Sequence, residues 1–342
     1  MTKPASPPTG KGPPAAAEAI IFDGVTKHFP GNPRPAVDGV SLTVREGHLV
    51  VLLGPSGCGK TTLMKMVNRL YEHDTGTILV GGRDITSLPV TTLRRGIGYV
   101  IQSVGLFPHM RVDRNIAVVP QLLGWDPARI DRRVDELLAL VGLPPEEYRR
   151  RYPRQLSGGQ QQRVGLARAM AADPAIMLMD EPFAAIDNIT RRRLQDELIR
   201  IQRTVRKTTL FVTHDVEEAL RLADEIVVMK DGRVLQYDTP LRLLTAPADD
   251  FVAQLVGAED ALRRLSLLTV GPAMLPPAPP AAHLPALAPT DDLREALTLL
   301  LRTGADALPV QSADGQVIGT LSLDVIRRLT QPAPSAAPSA GA

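Results

Sequence analysis

The strongest chemical signal in the chain is Gly54-Pro55-Ser56-Gly57-Cys58-Gly59-Lys60-Thr61, directly after the apolar run Leu49–Leu53. Its glycines let the backbone curl so that several N–H groups face one anion. A helix opening at Thr61 adds the partial positive charge of its N-terminus. Lys60 is a point charge able to reach the outer phosphates of a nucleotide, and the Thr61 hydroxyl is a hard ligand suited to Mg2+. Cys58 is read as a small loop residue supplying its N–H, not as a redox group. A second apolar run, Ile176–Met179, ends in two carboxylates. Asp180 is placed to hold the shell of a divalent cation, usually through water, and Glu181 to orient or polarise an attacking water. A third segment, Leu156-Ser157-Gly158-Gly159-Gln160, precedes a helical stretch, Gln161–Ala171. Two readings of it stand. Ser157 is simply a helix N-cap, or the turn is a second anion cradle. One nucleotide needs one cradle within a chain, so a second would serve a nucleotide held by another chain.

These groups need a scaffold. Leu49–Leu53, Ile176–Met179, Leu210–Val212 and Ile226–Met229 are continuous apolar runs, the pattern of parallel strands covered on both faces. Between them lie helical patterns: Thr61–Leu70, with Leu63, Met64, Val67 and Leu70 on one face, then Ile130–Val141 and Arg191–Val205. Asp231-Gly232, between Ile226–Met229 and Val234–Tyr237, predicts a tight hairpin. Strands alternating with helices predict an α/β layer architecture.

The chain has 342 residues, with 39 Lys+Arg against 37 Asp+Glu and a formal net charge of +2. That balance argues against a dedicated nucleic-acid binder. With 44% hydrophobic and 22% charged residues, the composition is globular and can fill a sizeable core. A single cysteine excludes a disulfide framework and a Cys-based zinc cluster. No apolar run approaches the ~18 residues of a membrane span, and the start lacks a secretory pattern. A reducing, cytosolic setting is therefore expected, with any membrane role coming through a partner. Residues 1–18 and 331–342 are rich in Pro, Ala and Ser and predict flexible tails. Residues 258–289 predict a connecting helix and a Pro/Ala-rich region.

In their order, the motifs resemble the ATP-binding subunit of an ABC transporter. Gln102, in Gly98-Tyr99-Val100-Ile101-Gln102, resembles the Q-loop, and Leu156–Gln160 the signature. Asp180 and Glu181 resemble the Walker B carboxylates, Ala184-Ala185-Ile186-Asp187 the D-loop, and His214, in Phe211-Val212-Thr213-His214, the switch histidine. Ala184 stands where the family more commonly has serine. The resemblance implies a P-loop NTPase nucleotide-binding domain over residues 19–257: a RecA-like α/β core with an antiparallel β subdomain and an α-helical subdomain at about 103–160. It implies that Gly54, Pro55, Ser56, Gly57, Cys58, Gly59, Lys60, Thr61, Thr62 and Gln102 bind ATP. Phe29 would stack on adenine, the alternative being a packed core ring. Thr61, Gln102 and Asp180 would hold Mg2+, and Glu181 and His214 would be catalytic. Ser157, Gly158, Gly159, Gln160 and Asp187 would contact ATP bound by the opposite subunit. The implied working form is a homodimer that closes on two ATP molecules. It would sit peripherally on the cytoplasmic face of the inner membrane, through permease subunits fed by a periplasmic or lipid-anchored binding protein.

Gly105-Leu106-Phe107-Pro108-His109-Met110 is similar to the glycine betaine/carnitine/choline group of osmoprotectant importers. Leu106, Phe107 and Met110 are equally readable as core of the helical subdomain. Downstream, Thr290–Arg302 reads as a capped helix with Leu293, Leu297, Leu300 and Leu301 on its apolar face. Strands at 307–311 and 317–321 follow, around a turn at Ala313–Gly315, and then a helix at Leu323–Leu329. With Ser266–Met274 as first element, this βαββα-like order over 266–330 resembles one cystathionine-β-synthase-type (CBS) repeat, a small α+β domain. There Ser322 would meet a phosphate and Asp324 a ribose, or the repeat binds nothing and only packs. The other functional readings are an importer ATPase for another small solute, such as an amino acid, and a soluble ABC ATPase acting on DNA or ribosomes. The short span Gln102–Leu156 and the single P-loop disfavour the last, and no nucleic-acid partner is expected.

Overall fold

The computed structural model describes residues 18–102, 105–184, 186–277 and 284–330. Glu18, the last residue of the expected N-terminal tail, opens a strand; the rest of the expected tails, Ser103, Val104, Ala185 and the middle of the Pro/Ala-rich stretch lie outside the described residues. By contacts the chain divides into two units, Met1–Leu235 and Gln236–Ala342. The first unit begins with β1 (Glu18–Lys27), β2 (Val37–Arg45), β3 (Leu49–Leu53), α1 (Lys60–Val67), β4 (Thr75–Val80), β5 (Arg83–Asp84), α2 (Val90–Arg95) and β6 (Ile97–Val100). Four helices follow: α3 (Val112–Leu122), α4 (Pro127–Leu140), α5 (Pro145–Tyr148) and α6 (Gly158–Met170). The chain then returns through β7 (Ile176–Asp180), α7 (Asn188–Val205), β8 (Thr208–Thr213), α8 (Val216–Leu222), β9 (Glu225–Lys230) and β10 (Arg233–Asp238), which crosses the division.

An antiparallel sheet runs in the order β2-β1-β4-β5. The central sheet runs β10-β9-β3-β8-β7-β6, with β9, β3, β8, β7 and β6 parallel. Every residue of β3, β7 and β8 is buried, which is why their sequences are continuous rather than alternating in polarity. Asp231 and Gly232, at φ 49° and 82°, turn the β9–β10 hairpin. Parallel strands send their carboxyl ends to one edge of the sheet, where ligand-binding loops leave it. Here β3 leads into Gly54, β6 towards Gln102, β7 into Glu181 and β8 into His214. Residues far apart in sequence thus share one edge.

Helix boundaries differ from the periodicity. The first helix stops at Val67, not Leu70: Arg69 turns left-handed at φ 47°, its guanidinium bonds the Ile85 and Leu88 carbonyls, and Leu70 is 43% exposed. In contrast, α4, α6 and α7 each start about a turn earlier than their apolar patterns. Asp126, Ser157 and Asp187 cap them.

The second unit contains α9 (Pro240–Thr245), α10 (Asp250–Val256), α11 (Ala261–Leu265), α12 (Val270–Ala273), α13 (Leu293–Thr303), β11 (Ala307–Gln311), β12 (Val317–Ser322) and α14 (Leu323–Thr330). Thus α9 and α10, grouped with the ATP-binding block by sequence, fall in this unit by contacts. Leu265, Val270, Leu293, Leu300, Leu308 and Leu321 belong to its core. Ala296 completes the buried face of α13, whereas Leu301 is 68% exposed, contrary to expectation. Ser266–Met274 is not a leading strand either. It contains the short helix α12; the Val270 and Gly271 N–H groups go to the Asp291 and Pro289 carbonyls, and Pro272 has no N–H for a ladder. Its strand character is limited to one isolated bridge, Thr269 to Asp292; further isolated bridges run from Leu275 to Thr320 and from Leu287 to Val310.

Candidate nucleotide site

The loop after β3 is drawn tight by glycine. A Cβ on Gly54 would run into the Met229 carbonyl oxygen and lie 2.9 Å from Cys58 Sγ; one on Gly59 would run into the Ala36 carbonyl oxygen. Both glycines have positive φ, as has Gly57. Lys60 is buried, and its ammonium donates to the carbonyl oxygens of Gly54 at 2.7 Å and Pro55 at 2.8 Å. Burial pushes the neighbouring Cys58 thiol up, against the pull of Lys60, so it stays protonated.

Thr61 Oγ1 donates to Asp180 Oδ1 at 3.0 Å. Asp180 is 8% exposed. Burial pushes its carboxyl up, opposed by the Thr61 hydroxyl and by Lys65. A buried anionic group beside a hydroxyl is a fitting partial site for a hard cation. Two protein oxygens suit Mg2+, which takes its other ligands from water and phosphate. Among the described residues no group of three or more His, Cys, Asp or Glu forms a protein cage.

Glu181 adopts φ 43°, a left-handed conformation costly for a non-glycine residue, and its N–H donates to the Val212 carbonyl at 3.0 Å. Such strain persists only where the surroundings enforce it. It brings Glu181 Oε1 within 3.2 Å of His214 Nδ1. Gln102 is exposed, two residues beyond β6, whose Val100 pairs with Met179 of β7. Thr62 lies in the first turn of α1. Phe29 is half-buried rather than in the core, edge-on to Tyr71 at 5.2 Å between ring centroids, with Lys27 Nζ 5.7 Å from its centroid.

The signature segment stands apart from this group. Ser157 and Gln160 form a reciprocal capping box: the Gln160 N–H donates to Ser157 Oγ at 3.3 Å, and the Ser157 N–H donates to Gln160 Oε1 at 2.9 Å. Gln160 Nε2 donates to the Tyr148 hydroxyl at 3.1 Å. A Cβ on Gly158 would meet nothing within 4 Å, whereas one on Gly159 would lie 3.0 Å from Thr190 Cγ2. Asp187 is exposed and caps α7 through the Thr190 N–H at 3.0 Å, which holds its carboxyl below the ordinary range. In the second unit, Ser322 Oγ accepts from the Val325 N–H at 3.4 Å, and Asp324 pairs with Arg327 at 3.4 Å.

Three residues of this region were given no role by the sequence reading, although Tyr99 lies within the segment that resembles the Q-loop. Tyr71 meets Phe29. The Tyr99 hydroxyl is pushed up by burial and by the Asp180 charge. Arg191 touches the segments on either side of the site; its spacing of four from Asp187 was the available signal.

Residues 37–184 match the family described as ABC transporter. The chain is 52% identical to the glycine betaine uptake system ATP-binding protein YehX of Escherichia coli over 303 residues, spanning 88% of this chain and 97% of that protein. It is 49% identical to the osmoprotectant import ATP-binding protein OsmV of Salmonella typhimurium over 255 residues, spanning 74% of this chain and 67% of that one. Its fold is similar to a solved dimeric ATP-binding cassette in a post-hydrolysis state bound to ADP and Pi, with a TM-score of 0.58 and 31% identity, covering 65% of this chain and 98% of that one.

Proposed function

This chain belongs to the ABC transporter family as an ATP-binding subunit, and on that premise we propose that it hydrolyses ATP to drive import of a quaternary-amine osmoprotectant. Glycine betaine, choline, carnitine and proline betaine are the candidate solutes. The observation that carries the reading is the Glu181–His214 pair, 3.2 Å apart on the sheet edge that also bears the phosphate loop.

Phosphoryl transfer asks for positioning and charge neutralisation more than covalent help. ATP lies with its phosphates along residues 54–62. Lys60 exchanges the Gly54 and Pro55 carbonyls for phosphate oxygens, so an already buried ammonium gains anionic partners. Thr61, Asp180 and Gln102 would hold a Mg2+, which would offset phosphate charge. Glu181 orients the attacking water and draws on its proton, while His214 holds the water and the γ-phosphate. Phe29 offers adenine a π-face, buttressed by Tyr71.

Ser157, Gly158, Gly159, Gln160 and Asp187 complete the ATP site of the opposite subunit in a homodimer. Support for this comes from the exposure of Ser157, Gly158 and Asp187, and from hydrogen bonds of Ser157 and Gln160 that stay within the helical segment. The ATP-binding domain is assigned to 19–257 and a single CBS-like repeat to 266–330, with Ser322 and Asp324 as its ligand residues. Among the described residues no helix is long and apolar enough to cross a membrane. The dimer works on the cytoplasmic face of the inner membrane through permease subunits served by a substrate-binding protein.

The test is uptake in proteoliposomes holding the full chain, the permease and the binding protein. ATP-dependent accumulation of one of the four quaternary-amine solutes is expected. Accumulation of an amino acid, with none of the four carried, would overturn the assignment of solute class.

A further inference from the structure

Arg191 lies in the first turn of α7, one turn beyond Asp187. Its guanidinium ties two loops together. Nη2 donates to the Ile186 carbonyl oxygen at 3.0 Å, in the loop that carries Asp187. Nη1 lies 3.5 Å from Asp215 Oδ2. Asp215 directly follows His214, and its Oδ1 accepts the N–H groups of Glu217 at 2.9 Å and Glu218 at 3.2 Å, fixing the start of α8. The Arg191 backbone N–H also donates to the Asp187 carbonyl at 2.8 Å. One planar cation therefore joins the loop that carries Asp187 to the loop that bears His214. Lysine has no such fork and can serve only one of the two partners.

A second observation points the same way. Arg191 lines a cavity of about 50 Å³ together with Glu181, His214, Asp215 and Glu218. Its Nε is buried and has no hydrogen-bond partner among the described residues.

We infer that Arg191 is a positioning residue that carries the seating of Asp187 against the partner subunit to His214, so that hydrolysis follows dimer closure. The inference rests on the two-chain site proposed above. Arg191 acts through Asp215 and the Ile186 carbonyl.

Spatial intermediacy is not coupling, so the test is a double-mutant cycle on the full chain: Arg191→Ala, Arg191→Lys, Asp215→Asn and the Arg191→Ala/Asp215→Asn pair. Rates are taken per nucleotide-binding site, titrated with a fluorescent ATP analogue, so that misfolded chains do not enter the rate. The expected result is a fall in kcat of about tenfold or more for Arg191→Ala, with KM for ATP within about twofold, since misplacement affects the transition state and not uniform binding. Arg191→Lys falls between it and the wild type. The pair loses no more than the worse single variant. A pair whose loss is the product of the two single losses would overturn the inference. So would kcat and KM changing together, or unchanged kcat per site in both Arg191 variants. Failure of the two-chain site itself is read separately: Gly158→Ala would then leave kcat intact, whatever the Arg191 variants do.

Discussion

Asp180 meets two opposed demands. Burial raises its carboxyl above the ordinary range, so the empty chain gains stability when this group is neutral. Between its unfolded and folded values the native state keeps a proton that the unfolded state has lost, and stability therefore falls as pH rises through that window. Asp180→Asn removes this penalty and keeps an oxygen for the Thr61 hydroxyl. Above that window the nucleotide-free variant is expected to melt higher than the wild type, while Mg2+-dependent ATPase drops by more than tenfold. Melting curves with and without Mg2+ and ATP check both parts; a variant that melts lower and still turns over would contradict the role given to Asp180. Glu181→Gln keeps the shape of its neighbour and loses the charge that draws on the water. It should trap a nucleotide-bound dimer with little turnover, read by size-exclusion chromatography with ATP, and near-wild-type hydrolysis would refute its role. Lys60, Asp180 and Glu181 were legible in sequence because each follows an apolar strand at a fixed spacing. Tyr71 and Arg191 were not: each acts through a partner far away in the chain, Phe29 in one case and Asp215 in the other.

At the scale of elements, helix starts decide what can be tested cleanly. Ser157 caps α6, so Ser157→Ala costs about 1 kcal/mol of stability whatever it does to catalysis. Gly159→Ala forces Thr190 to move, because the new methyl would sit 3.0 Å from it. Gly158 is free of both complications, since nothing lies within 4 Å of a Cβ there. Gly158→Ala is therefore expected to change stability by no more than about 0.5 kcal/mol, the usual range for an unconstrained surface position, yet to abolish most ATPase. Urea unfolding and steady-state hydrolysis of one preparation check the two halves. These starts were only partly legible. Hydrophobic periodicity begins at the first buried residue, whereas the caps at Asp126, Ser157 and Asp187 lie about a turn earlier. Leu301 shows the converse: adjacent to buried Leu300, it points about 100° around the helix and stays in solvent.

At the scale of the molecule, the parallel sheet gathers Gly54, Gln102, Glu181 and His214 on a single edge; in the proposed function these make one half of a phosphoryl-transfer site, and the signature of a partner chain supplies the other. The sheet was legible because doubly covered strands read as unbroken apolar runs. The segment Ser266–Met274 was not, because its contacts with Asp291, Pro289 and Asp292 are non-local. A site divided between two chains has a direct signature in mixed dimers. Lys60→Ala disables the phosphate loop and Gly158→Asp disables the signature, so each variant alone should be nearly inactive. Mixed in equal amounts, about half of the two-fold dimers are heterodimers. In each of these, one site combines the intact phosphate loop of the Gly158→Asp chain with the intact signature of the Lys60→Ala chain. The account predicts ATPase in the mixture well above the sum of the two variants alone; hydrolysis no higher than that sum, with heterodimers demonstrated, would contradict it.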